Sequence, residues 1–151
     1  MRNDFVATGV VFNRQKDKVL LVYHNKLKKW LPPGGHLEPN ELPHEGALRE
    51  VWEETGVKAS LILSGEQFEI EEEVESQLPT PYLILHEYIP STPTEEAHMH
   101  VDFIYLMEVE EEAQLDIHPR EVKEARWMTL DEVQRCDTFD SVIKICQRLM
   151  K

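Results

Sequence analysis

Residues 35–57 read GHLEPNELPHEGALREVWEETGV, and the pattern of carboxylates within them sets the reading of the whole chain. From Pro43 to Thr55 nearly every residue favours a helix, Pro43 is tolerated in a first turn and Gly56 suits a C-terminal stop, so the spacing predicts a helix over 43–55. At about 100° per residue, Glu50, Glu53 and Glu54 fall within roughly one third of that helix's circumference. Leu48, Val51 and Thr55 form a neighbouring stripe suited to a core. Three carboxylates on one face repel one another unless something compensates, and hard cations such as Mg²⁺, or Mn²⁺ in its place, are the natural compensation for clustered carboxylate oxygens. Arg49 lies four residues before Glu53, so it can also pair with that carboxylate and hold its rotamer.

Just ahead of this helix, Leu31-Pro32-Pro33-Gly34-Gly35 is expected to be neither helix nor central strand. Two prolines remove donors and two glycines permit unusual dihedrals, which predicts a shaped loop whose carbonyls can add a hard oxygen ligand. Further out, Val6–Phe12 and Val19–Tyr23 are apolar and β-branched, separated by a polar turn, and predict a hairpin. Strand-like segments follow at Lys58–Phe68, Tyr82–Tyr88, His100–Val109 and Glu124–Met128. Thr129 and Glu132 match a capping box, and Asp137-Thr138 is placed to cap an amphipathic segment over Val142–Met150. The expectation is one mixed α/β layered domain over residues 1–151 with a mixed, largely antiparallel sheet.

The net charge of -13 opposes a protein that holds long nucleic acid through phosphate contacts, which needs a basic face. It leaves room for a small phosphorylated ligand, because a bound divalent cation reverses the local sign. No apolar run reaches bilayer length and the N-terminus lacks a signal-peptide pattern, so no membrane partner and a cytoplasmic location are expected. Cys136 and Cys146 form no CxxC pair and have no zinc-ligand spacing, which marks them as idle thiols. Exposed strand edges in a small sheet protein make a homodimer the expected assembly.

The stretch 35–57 resembles the Nudix box, G-x5-E-x7-R-E-U-x-E-E-x-G-U with U aliphatic, at every specified position: Gly35, Glu41, Arg49, Glu50, Val51, Glu53, Glu54, Gly56 and Val57. The resemblance implies the MutT-like Nudix hydrolase fold, an α/β/α sandwich, and metal-dependent hydrolysis of a diphosphate linkage in a nucleotide-type small molecule. It assigns Glu53 and Glu54 as metal ligands, Glu50 as ligand or general base, Gly35 as a carbonyl ligand, and Arg49 and Glu41 as orienting partners. Many relatives supply a further carboxylate before a strand that carries a tryptophan. Glu121, six residues before Trp127, has a similar spacing, with Glu124 as the competitor.

Substrate class is less determined. A proline found beyond the box in ADP-ribose hydrolases is replaced here by Glu71-Glu72-Glu73, and a tyrosine of dinucleoside polyphosphate hydrolases by Val74-Glu75. That leaves nucleoside triphosphates or modified nucleotides as the leading class, with ADP-ribose or nucleotide sugars as alternatives within the enzyme reading. A non-catalytic nucleotide sensor is the alternative outside it, disfavoured because a pure binder has no need of a repulsive carboxylate cluster. Lys29 in the basic cluster before Trp30, Tyr82 and Phe139 as stacking aromatics, and His100 are the candidate substrate contacts. His98, His100 and Asp102 alternate along a strand and share one face, for which a solvated surface is the simpler account and phosphate contact the other. The acidic run Glu69–Glu75 reads as a solvated loop.

Overall fold

The computed structural model describes residues 1–112, 114–117 and 122–151. Its elements run β1 (Asn3–Phe12), β2 (Val19–His24), β3 (Lys29–Leu31), β4 (Gly34–His36), α1 (Pro43–Thr55), β5 (Ser60–Ile62), β6 (Leu83–Ile89), β7 (His98–Glu108), β8 (Val122–Met128), α2 (Leu130–Arg135) and α3 (Asp140–Leu149). They form one mixed sheet centred on β1, which runs parallel to β7 from Asn3↔Met99 to Phe12↔Glu108 and antiparallel to β2 and β4. The remaining pairings, β2 with β3 and β8, and β7 with β5 and β6, are all antiparallel.

Alternation along β1 divides the interior into two layers, because successive side chains point to opposite faces of a strand. Ala7 and Val11 pack with Ala47 and Val51 of α1 and with Tyr105 and Met107 of β7. Val10 and Phe12 pack on the other face with Ile104, Val133, Val142, Ile145 and Cys146. Helices thus cover both faces, as in an α/β/α sandwich. Burial pushes the Cys146 thiol up to about 12, which keeps it protonated and inert. Among the described residues, no helix is long and apolar enough to cross a membrane.

The structure corrects three of the local expectations. Leu31-Pro32-Pro33-Gly34-Gly35 is not wholly a loop: Leu31 ends β3, and Gly34 and Gly35 pair with Thr8 and Ala7 of the central strand. Only Pro32 and Pro33, which lack N–H donors, stay between the strands, and the Pro33 carbonyl still accepts from Gly9 N–H at 3.0 Å. Of the apolar stretch 58–68 only Ser60–Ile62 is strand. The chain leaves the sheet after Ile62 and, past Gly65 at φ 71°, runs into an exposed loop that carries the acidic run. The cap before α3 is Phe139, not Asp137-Thr138. Thr138 Oγ1 instead donates to the Trp30 carbonyl at 2.6 Å, tying the helix entry to β3.

Gly9 sets the spacing between sheet and helix. A Cβ there would lie 2.6 Å from Val51 Cγ2, far inside van der Waals contact. Gly9→Ala is expected to lower stability by about 1–3 kcal/mol in urea unfolding. The same change should cost clearly less in a Val51→Ala background, since the clash is with that side chain; equal costs in the two backgrounds would refute the spacing role.

Candidate functional site

The short strand β4 lies against α1 through glycines chosen for room and not for dihedral freedom, since neither Gly34 nor Gly35 has positive φ. A Cβ on Gly34 would sit 2.6 Å from the Ala7 carbonyl oxygen, and one on Gly35 would sit 2.8 Å from the carboxylate atoms of Glu50. Only a residue without a side chain lets that carboxylate rest on the strand. The ladder bonds Gly9 N–H to Pro33 O and Leu37 N–H to Phe5 O bracket Gly35. By the alternation of an antiparallel ladder, the Gly35 carbonyl turns toward Ala7, and those of Gly34 and His36 turn to the opposite edge. The Gly34 carbonyl, like that of His36, thus faces away from the ladder, while that of Gly35 faces into it.

Arg49 organises the carboxylates with all five of its N–H donors. Nε donates to Glu41 Oε2 at 2.7 Å, and Nη2 to Glu41 Oε1 at 2.9 Å and to the His36 carbonyl at 3.0 Å. Nη1 donates to Glu50 Oε1 at 2.8 Å and to Glu53 Oε2 at 3.1 Å. This guanidinium holds the Glu41 carboxyl below the usual range, and Glu41, with Glu50, pushes the Arg49 pKa further up. The three helix carboxylates are not a solvated face. Glu50 and Glu54 are buried at 7% and 3% exposure, and Glu53 at the rim keeps 40% of its side chain open. Burying carboxylates is costly unless they are compensated, and Arg49 compensates Glu50 here; the gathered carboxylate oxygens are of a kind that could also hold a hard cation.

A sequence model of the NUDIX domain matches residues 4–145. The chain belongs to the NUDIX family. It is 32% identical over 123 residues to a probable DHNTP pyrophosphohydrolase of Lactococcus lactis subsp. cremoris, covering 79% of this chain and 64% of that one. Over 50 residues, 32% of this chain and 28% of the relative, it is 48% identical to diphosphoinositol polyphosphate phosphohydrolase 2 of Mus musculus. The crystal structure of a NUDIX-family hydrolase from Clostridium perfringens aligns with TM-score 0.76 and 25% identity over 99% of this chain and 97% of that one. The matches to the curated relatives span less than two thirds of each relative's own length.

Other residues singled out in the sequence fall in several places around this NUDIX core. Glu121 lies outside the described residues, and its competitor Glu124 is paired with Arg126. Lys29 Nζ bonds Asp137 at 2.7 Å and lies 5.4 Å from the centre of the Phe139 ring, which is 43% exposed. Tyr82 packs against the α3-side core, and its N–H donates to Ile104 O, so it is a packing residue more than an open stacking platform. His98 and Asp102 are buried, against the expectation of a solvated strand face, and His100 is partly buried. The reason is register: β1 and β6 flank β7 at this end, and Asp4 and Glu87 stand directly across from His100.

Two groupings on this face escaped the sequence reading. His36 and Asp4 approach His98 and His100, with ligand atoms of all four within 4.8 Å of one another. Burial, then His36 and His98, push His100 down to about 4. Beside them the carboxyls of Glu87 and Asp102 meet, and Thr8 Oγ1 donates to Asp102 Oδ1 at 2.8 Å. Burial pushes both carboxyls above their usual range, so the pair keeps one proton at neutral pH. Alternation of apolar residues along the strand could have flagged Glu87, which interrupts an inward-facing row begun by Leu83 and Leu85.

The two shifts act on stability with opposite signs. His100, depressed in the fold, favours folding increasingly as pH rises through the unfolded value near 6.5 and adds no slope above it. The Glu87–Asp102 proton, bound more tightly in the fold, stabilises at low pH and loses that contribution as pH rises toward its folded pKa. Between about pH 7 and 8 the unfolding free energy read from urea titration is therefore expected to fall, by up to ~1.4 kcal/mol per pH unit for one proton. Glu87→Gln should flatten that slope; an unchanged slope would show that the shared proton is not there.

Proposed function

We propose that the chain hydrolyses a diphosphate linkage in a nucleoside diphosphate derivative, with nucleoside triphosphates or modified nucleotides as the substrate class and Mg²⁺ as the cofactor, replaceable by Mn²⁺. The observation that carries this reading is the Arg49 fan: one guanidinium locks Glu41, Glu50 and Glu53 at 2.7–3.1 Å beside the glycine strand. The residues suit a hard divalent cation, since their donors are carboxylate and carbonyl oxygens, two of the carboxylates are buried, and a Cβ on Gly35 would fill the cradle of Glu50. Glu50, Glu53 and Glu54, with the Gly34 carbonyl in place of that of Gly35, would hold it, and Glu121 is a further carboxylate for the same task. A divalent cation bound there supplies charge neutralisation for phosphate oxygens and acidifies water.

The protein's own groups do the rest. Arg49 and Glu41 are positioning residues, fixing the rotamers of Glu50 and Glu53 so that no reorganisation is needed when the substrate arrives. Glu50, held through one oxygen by Arg49, is placed to take a proton from the attacking water if it is not consumed as a ligand. The exposed ring of Phe139, with Lys29 held beside it by Asp137, offers a stacking surface for the remainder of the substrate. The relative named as a probable DHNTP pyrophosphohydrolase supports a triphosphate-type substrate, and the polyphosphate phosphohydrolase relative supports phosphoanhydride cleavage more broadly.

Glu53 is the informative position, because its side chain reaches the rim and Arg49 keeps its other partners without it. Glu53→Gln is expected to lower Mg²⁺-dependent turnover by about two orders of magnitude or more while leaving the melting temperature nearly unchanged. The substrate is read by a released-phosphate screen over nucleoside triphosphates, nucleotide sugars, ADP-ribose and dinucleoside polyphosphates. Unaltered turnover in the variant under metal-replete conditions would sink the assignment.

A further inference from the structure

We propose that Asp4, His36, His98 and His100 form a second metal site, separate from the α1 carboxylates and built for a borderline transition ion, Zn²⁺ foremost. Three adjacent strands supply the ligands: β4 gives His36, β1 gives Asp4, and β7 gives His98 and His100, which share one face two residues apart. His98 Nε2 lies 3.2 Å from His100 Nε2, His36 Nε2 lies 3.3 Å from Asp4 Oδ2, and His98 Nε2 lies 3.9 Å from the same oxygen. In a tetrahedron with metal–ligand bonds of 2.0–2.1 Å the ligands stand about 3.3–3.4 Å apart, so these spacings require only small closure. Three imidazoles and one carboxylate are a donor set that favours Zn²⁺ over Mg²⁺, the reverse of the all-oxygen set at α1.

Surrounding contacts orient the ligands. His98 Nδ1 is 3.0 Å from the Glu96 carbonyl, which can only accept, so this nitrogen carries the proton and Nε2 of a neutral ring presents its lone pair to the cluster. Arg2 bonds both oxygens of Asp4, at 2.7 and 3.2 Å, and Glu95 Oε1 at 3.1 Å, fixing the carboxylate that faces the rings. Glu95 also stands 3.3 Å from His98 Nε2 at the exposed rim, and the competing arrangement is a charged His98 held by that carboxylate without metal. The site bears on the family's helix through one residue: the His36 carbonyl accepts from Arg49, so an ion on its imidazole would pin β4 against the Arg49 fan.

The whole chain, stripped with chelator, is titrated with Zn²⁺ against a chromophoric competitor and with Co²⁺ by visible absorption. One Zn²⁺ per chain is expected with Kd below about 1 µM, the intense absorption of four-coordinate Co²⁺, and a melting temperature raised by about 5–10 °C at a hundredfold excess over Kd. His36→Gln, His100→Gln and Asp4→Asn, each checked for folding by circular dichroism, should weaken Zn²⁺ binding at least about tenfold. Glu53→Gln should bind Zn²⁺ as the unaltered chain does, which keeps this result independent of the turnover test. No binding at 100 µM Zn²⁺ would overturn the proposal in favour of the charged His98. Equal affinity in the folded Asp4, His36 and His100 variants, or loss of binding in Glu53→Gln, would overturn it by placing the ion elsewhere.

Discussion

The five bonds of the Arg49 guanidinium join the turn before α1, the strand β4 and the helix itself into one body. Without that cation, Glu41, Glu50 and Glu53 would meet as unscreened like charges at the edge of a hydrophobic interface, and the helix could not present its carboxylates inward. A lysine would not substitute, since a point charge with three donors cannot span a carboxylate fork, two further carboxylates and a carbonyl at once. The glycines complete the same body from the other side. Gly35 leaves room for the Glu50 carboxylate, and Gly46 leaves room for Leu37 and Glu41, where a Cβ would fall 2.3 and 3.0 Å from their side chains.

Two kinds of donor are thereby kept apart in a small molecule. On the α1 side of the sheet carboxylates gather around Arg49, while on the α3 side three imidazoles gather with one carboxylate. The sheet between them is a single layer, and Gly34-Gly35-His36 contributes to both sides because adjacent residues of a strand face opposite ways. β4 pairs with the central strand through Val6↔His36, Ala7↔Gly35 and Thr8↔Gly34 despite the two prolines that precede it, because those prolines lie outside the paired residues.

How far the sequence disclosed this depends on range. The helix over 43–55 was legible to the residue, since Pro43, Gly56 and the spacing of Glu50, Glu53 and Glu54 act within a few turns. The Thr129–Glu132 cap was equally local and is present, with Thr129 Oγ1 accepting from Glu132 N–H at 3.3 Å. The strand character of Gly34-Gly35 was hidden because the glycines make room for distant groups, the β1 backbone at Gly34 and a carboxylate from fifteen residues on at Gly35, and do not serve unusual dihedrals. Asp4 and His36 were passed over because nothing near either in the chain points to His98 and His100; the register of β1 with β7 brings in Asp4 and that of β1 with β4 brings in His36. Segment 58–68 misled because its apolar residues suit a strand locally, yet Leu63 and Phe68 end exposed once the chain leaves the sheet.

The parallel pairing of β1 with β7 also has a consequence in time. β1 is synthesised ahead of the other described elements, but its parallel neighbour is made only after β6, and until then the run Val6–Phe12 has one unpaired edge and the face toward α3 uncovered. Its antiparallel partners β2 and β4 arrive early and can hold it provisionally, together with α1. The last helix then closes the opposite face over Val10 and Phe12. Nascent chains halted before residue 98 would therefore keep one edge of the central strand unpaired, so the interval between β4 and β7 is the stretch of synthesis in which β1 is open to pairing with another chain.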